Sequence, residues 1–211
     1  MNAKGFLGFG NSANWKEEVL LHDGRKIIVE RSLTHGGRGE IGQSPIKEQA
    51  IKFALPGSKQ SITWKDEYSE DIGRASFLVF ALHLLDDTPY LVVSPHLCLA
   101  YNKWGRPNPP YVFLKYDGTT WQRIPLAEFP TEFNEINIAY KTIGDEKYLL
   151  EQRFVTAEMI KKLNSVAKRP EYKTIIRMAI ETGNNSASIV NCEAMIPNGR
   201  NGWIGLGWFD K

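Results

Sequence analysis

Gly37, Gly39 and Gly42 have the G-x-G-x-x-G spacing that lets a backbone approach a pyrophosphate. That chemistry also needs a helix directly after the glycines, whose free N–H groups and dipole hold the phosphate. Gln43-Ser44-Pro45 and an alternating strand pattern follow instead. The segment therefore reads as a glycine-rich loop that carries Arg38 and Glu40 towards a partner. The four histidines, His22, His35, His83 and His96, include no i,i+4 pair and no H-E-x-x-H. His83, inside an apolar run, reads as a satisfied core residue. No serine has the G-x-S-x-G setting of a nucleophile elbow. Cys98 has His96 nearby, but two residues along a strand is a poor geometry for proton transfer, and its leucine neighbours suggest an inert buried thiol. Carboxylates are plentiful, yet their spacing selects no pair for glycoside chemistry. No catalytic residue, cofactor or metal ligand is assigned.

The least ordinary stretch is Tyr101-Asn102-Lys103-Trp104-Gly105-Arg106-Pro107-Asn108-Pro109-Pro110. Proline fixes φ, so this composition predicts a stiff irregular loop across the whole segment. Tyr101, Lys103, Trp104 and Arg106 on such a loop are candidate partner contacts, because aromatic and arginine side chains supply large contact area with little entropy to lose. The alternative has Trp104 and Arg106 packing back on the sheet, with Arg106 stacked on an aromatic ring. At the C-terminal end, glycines alternate with bulky residues from Gly199 to Phe209, the pattern of a closing strand. Arg200 and Trp203 are weaker contact candidates there. Cys98 and Cys192 are either two buried thiols or, in an oxidising compartment, one long-range bridge.

These residues need elements to hold them, and the strand signals are dense. Asp23-Gly24 between 17–22 and 26–32, and Asp117-Gly118 between 111–116 and 121–124, mark tight hairpins. Alternation over 47–55, 60–65 and 135–141 predicts half-buried strands, and 77–85 with 90–93 a buried hairpin, with helix the competing reading of 77–85. Strands are also expected over 172–180, 188–195 and 203–208. One helix is expected near 156–169, with Thr156 as its N-cap and Pro170 as its stop. The fold class is therefore mainly β, an antiparallel meander or sandwich with one helix. Residues 1–14 read as a flexible leader and 15–211 as a single β-rich domain, with a soft boundary near Gly144.

Twenty-six basic and 24 acidic residues give a net charge of +2 with no block of either sign, which gives no push towards nucleic acid. No apolar run reaches the roughly 18–20 residues of a membrane helix. Met1 to Gly10 lacks the apolar core of an export signal, so the expectation is a cytosolic chain or one whose leader has been removed.

Three motifs together carry a resemblance. They are Trp15-Lys16-Glu17-Glu18-Val19 with Leu21, Asp23 and Gly24; the 101–110 segment with Tyr111; and Trp121-Gln122-Arg123-Ile124-Pro125-Leu126. Over about residues 15 to 209 the chain resembles a family of largely uncharacterised bacterial proteins that commonly begin with an export or lipoprotein signal. The resemblance implies the periplasm, with Asn2 placed where the residue after a lipidated cysteine would sit. In an exported chain the even cysteine count favours the Cys98–Cys192 bridge. The family is similar in kind to immunity proteins encoded beside type VI secretion effectors, which block lipase or phospholipase toxins by filling their clefts. A protein partner of that sort is thus expected. The alternatives are an accessory envelope lipoprotein without a toxin partner, or a hydrolase on unrecognised residues.

Overall fold

The computed structural model describes residues 12–38, 45–58, 60–140, 148–152, 154–183, 188–200 and 202–205. In chain order the strands are β1 (Ser12–Leu20), β2 (Lys26–His35), β3 (Ile46–Ala54), β4 (Ser61–Asp66), β5 (Phe77–Leu85), β6 (Thr88–Pro95), β7 (Val112–Tyr116), β8 (Trp121–Ile124), β9 (Phe154–Val155), β10 (Met195–Pro197) and β11 (Trp203–Gly205). Helix α1 spans Leu97–Lys103 and α2 spans Ala157–Ser165, while 148–152 form a short helical turn. Among the described residues strand outweighs helix, 41% to 17%, so the expected mainly-β class holds.

Two sheets build the body, one of order β4-β3-β2-β1-β9 and one of order β5-β6-β7-β8; β10 and β11 pair separately. Every pairing is antiparallel except the short β1–β9 contact. The Asp23-Gly24 turn closes β1 onto β2, with Gly24 at φ +85, which a side chain rarely adopts. In β1, β2 and β4 inward and outward residues alternate, as expected of a sheet with one wet face. β5 and β6 are nearly continuous apolar runs because the second sheet is covered on both faces. Val19, Val29, Ile51, Phe53 and Trp64 meet Phe77, Leu82, Leu91, Val93 and Val112 between the sheets. Phe80, Tyr90, Val92 and Phe113 pack on the far side against Phe129, Phe133, Ile136 and Tyr140.

Buried polar clamps hold these layers in register. Asp66 accepts from the Ser76 and Phe77 backbone N–H groups at 2.9 and 2.8 Å and from Gln49 Nε2 at 3.0 Å, tying the first sheet to the start of β5. Asn137 protects the edge of β5. Its Oδ1 accepts from Leu82 N at 2.9 Å while its Nδ2 donates to Leu82 O at 2.8 Å and Leu20 O at 2.9 Å. One carboxamide thus satisfies both edge groups of Leu82, where an open edge would invite a foreign strand.

Several expected elements are corrected. Among the described residues, 135–140 and 172–180 are not strands; a single bridge joins Glu135 to Thr174. Pro170–Tyr172 is a 3-10 turn, and the Ile175 N–H and Thr174 hydroxyl both use the Asn134 carbonyl, so side chains take the place of a ladder. The burial behind the 135–141 alternation is real: Ile136, Ile138 and Tyr140 are all inside. Ile189–Asn191 forms a 3-10 turn within the strand expected over 188–195. α2 is capped as expected, Thr156 Oγ1 accepting from Met159 N, but ends at Ser165 instead of 169. Residues 12–14 belong to β1, which shortens the expected leader. Residues 1–11 and the soft boundary near Gly144 lie outside the described residues.

His83 is a core residue, 1% exposed and stacked on Phe133. Its Nε2 lies 3.0 Å from the Glu135 carbonyl, which can only accept, so Nε2 carries the proton and Nδ1 faces the Asn137 amide at 3.5 Å. Burial holds the imidazole at about 4, below its ordinary 6.5, and the Glu135 carbonyl offsets only part of that. The unfolded chain then binds more protons between these values, so stability falls as pH drops from about 6.5 to about 4. The whole loss attributable to His83 is roughly 3 kcal/mol. Urea unfolding across this window should show a shallower decline for His83→Gln than for the parent. Parallel pH profiles would refute the assignment.

Candidate functional site

α1 carries most of the expected contacts, and it is a helix through Lys103 where a loop was expected. Only from Gly105, at φ +81, and Arg106, at φ +53, does the backbone leave helical geometry, ahead of Pro107. Long-range partners enforce this turn. A disulfide joins Cys98 to Cys192 with Cα atoms 5.4 Å apart, as the bridged reading expected. Asn102 Nδ2 donates to Cys98 O at 2.9 Å and Glu193 O at 3.0 Å, and its Oδ1 accepts from Met195 N at 2.8 Å. Arg106 reaches across to donate to Cys192 O at 2.7 Å and Glu193 O at 3.0 Å.

The candidate contact residues differ in exposure. Tyr101 is 2% exposed, beneath the Arg106 guanidinium 5.1 Å from its ring centre. Arg106 spends its donors on the backbone it braces. Trp104 is half-buried, 4.6 Å from Phe77 ring to ring, with Arg123 on its other face. Its indole N–H is buried without an acceptor among the described residues. The packing alternative describes Tyr101, Trp104 and Arg106.

Lys103 and Arg38 remain exposed, and the fold brings them to opposite sides of one loop, 69–74. Lys103 Nζ contacts Asp71 Oδ1 at 2.8 Å and the Ser69 hydroxyl. Burial alone would raise the Asp71 carboxyl, but the Lys103 ammonium and the Ser69 hydroxyl overcome it and hold it below the ordinary carboxylate range. From the other side Arg38 donates its backbone N–H to Gly73 O at 2.8 Å and its guanidinium to Glu70 O. A Cβ on Gly37 would lie 2.3 Å from Gly73 O, so this glycine serves close loop packing, and the next described element is β3. Gly39, Glu40 and Gly42 lie outside the described residues. Arg200 is exposed in the β10–β11 turn, where its N–H donates to Asn198 Oδ1 at 2.8 Å; Trp203 is half-buried.

Sequence reasoning missed one surface. Nothing among the described residues covers the outer face of the five-stranded sheet, and a shallow depression of about 540 Å³ lies there. Asn14, Lys16, Glu30, Ser32, Ala50, Lys52 and Thr63 line it, with Leu150 at its side. The signal was present as the polar half of each alternating strand, and reading it required the cross-strand register. Among the described residues no helix is long and apolar enough to cross a membrane. The disulfide is of the kind that persists in oxidising, extracytoplasmic compartments. No family model matches this chain, and no curated protein or solved structure matches it either.

Proposed function

We propose that the chain is a periplasmic inhibitor of the immunity type, anchored by lipid in its precursor, which neutralises a secreted antibacterial lipase or phospholipase by occluding its cleft. The observation that carries this reading is the braced rim around α1. The bridge to Cys192, the Asn102 carboxamide and the Arg106 guanidinium fix the backbone from which Lys103 reaches the 69–74 loop, and Arg38 is held to the same loop by Gly73 and Glu70. A surface fixed before binding loses little entropy on docking, which is what a tight inhibitor requires. The contact set accordingly moves from Trp104 and Arg106 to Lys103 and Arg38.

The test is calorimetric titration into a secreted lipase or phospholipase drawn from the chain's own genomic neighbourhood. Wild type should bind it one to one, and Lys103→Glu with Arg38→Glu should weaken binding about tenfold or more. Each change also removes a partner within the chain, Asp71 for Lys103 and the Glu70 carbonyl for Arg38, so the loss of stability should stay near or below about 1 kcal/mol at each position. Absence of binding by wild type would overturn the inhibitor reading, and unchanged affinity of the double variant would remove the rim from it.

A further inference from the structure

We infer that the Cys98–Cys192 bridge is a thiol–disulfide exchange site, open in the folded chain to a thiolate that enters the depression beside α1. The inference does not rest on the inhibitor reading, because it concerns the chemistry of the bridge itself. Both cysteines are half-buried, and both line one open depression of about 520 Å³. Pro95, Leu97, Tyr172 and Ile189 supply its apolar lining, and Leu97 is 44% exposed. Exchange needs a thiolate to reach a bridge sulfur, so access decides which disulfides react in a folded protein. A bridge sealed in a core has no such route; this one borders an opening large enough for a cysteine side chain and its neighbours.

The reaction balances in two steps. An incoming thiolate attacks one bridge sulfur and forms a new S–S bond. The Cys98–Cys192 bond breaks, and its electron pair leaves on the other sulfur, which takes a proton from water. A second thiolate of the reductant then attacks the mixed disulfide, so the reductant ends as a disulfide and Cys98 and Cys192 as thiols. Reduction does not separate the two sulfurs. Asn102 still donates to Glu193 O at 3.0 Å and accepts from Met195 N at 2.8 Å, and Arg106 still donates to Cys192 O at 2.7 Å. α1 therefore stays tied to 192–195, and the thiols are placed to close again. Arg169, Glu193, Tyr172 and His96 are the ionisable side chains of the lining. Burial, with the Arg74 charge behind it, holds the His96 imidazole at about 4, below its ordinary 6.5, so it is neutral at pH 7. The rise of rate with pH then belongs to the attacking thiol.

The chain has only two cysteines, so every thiol released reports on this bridge. The oxidised protein is incubated without denaturant with reduced glutathione, or with a synthetic peptide carrying a C-x-x-C dithiol, then alkylated and read by mass spectrometry. Mixed disulfide and doubly alkylated chain should appear at a rate proportional to thiolate, rising about tenfold per pH unit below the thiol pKa. Urea below the unfolding transition should leave that rate unchanged. Leu97→Trp should slow the reaction at least about threefold by narrowing access. Leu97→Gly, which suits the φ of +68 at this position, should not slow it. Faster reaction of the peptide than of glutathione at equal thiolate would assign the site to a protein dithiol, and the reverse to a small thiol. A rate that levels off with rising thiol, or climbs with urea as unfolding does, would mean that the bridge opens only in the unfolded chain and would overturn the site. Equal rates for the two Leu97 variants would overturn the depression as its route.

Discussion

Replacing Cys98 and Cys192 together by serine is expected to lower the unfolding free energy by about 4–5 kcal/mol, the entropy recovered by an unfolded chain freed from so long a loop. The bridge closes a sequence separation of 94 residues. It spans the second sheet's last strands and the 126–140 covering segment, so its loss frees most of the C-terminal half of the unfolded chain at once. Asn102 and Arg106 would still tie α1 to 192–195, so the double-serine protein should fold and keep its far-UV spectrum. Urea unfolding of the oxidised parent and the variant measures the difference. A change below about 1 kcal/mol would mean that the linked segments are already confined in the unfolded state.

The second large effect comes from an ion pair inside the first sheet. Glu17 and Arg31 lie on the inner faces of β1 and β2, with side chains 0% and 1% exposed and 3.2 Å apart. Glu17 Oε1 also accepts from Trp15 Nε1 at 2.7 Å, and its Oε2 from Ala139 N at 3.3 Å. The Arg31 guanidinium stands 5.3 Å over the Trp15 ring. Glu17→Leu removes the counter-charge and leaves a cation in a dry interior, a cost of about 3–5 kcal/mol. Adding Arg31→Met should recover the part of that loss due to the unpaired charge, while the Trp15 and Ala139 N–H groups stay without their carboxylate acceptor. A double-mutant cycle in urea measures the coupling, and single substitutions costing less than about 1 kcal/mol would contradict a buried charged pair.

Local chemistry made the strands legible. Asp-Gly turns and period-two alternation act within a few residues, so β1 to β8 fall close to where the pattern puts them. What was hidden depends on distant partners. Tyr101 to Lys103 looks irregular because nothing nearby announces that Cys192 and Glu193 will hold it as a helix. Residues 135–141 alternate like a strand, yet the Asn137 carboxamide and not a backbone ladder meets the edge of β5. Glu17 and Arg31 occupy inward positions of the right period but read as surface charge until their pairing is seen. Of the candidate contacts, residue type identified Tyr101, Trp104 and Arg106 correctly as unusual. Exposure separates these bracing groups from Lys103 and Arg38, and exposure is set by the tertiary fold.

Inhibition itself provides the sharpest measurement. On the inhibitor proposal, the oxidised chain is titrated into a secreted lipase or phospholipase drawn from its own genomic neighbourhood while release of fatty acid from phospholipid is followed. The account predicts a linear fall in hydrolysis that ends near one equivalent, with the Lys103/Arg38 double variant requiring a large excess. Undiminished hydrolysis in the presence of a large excess of the wild-type chain would contradict it.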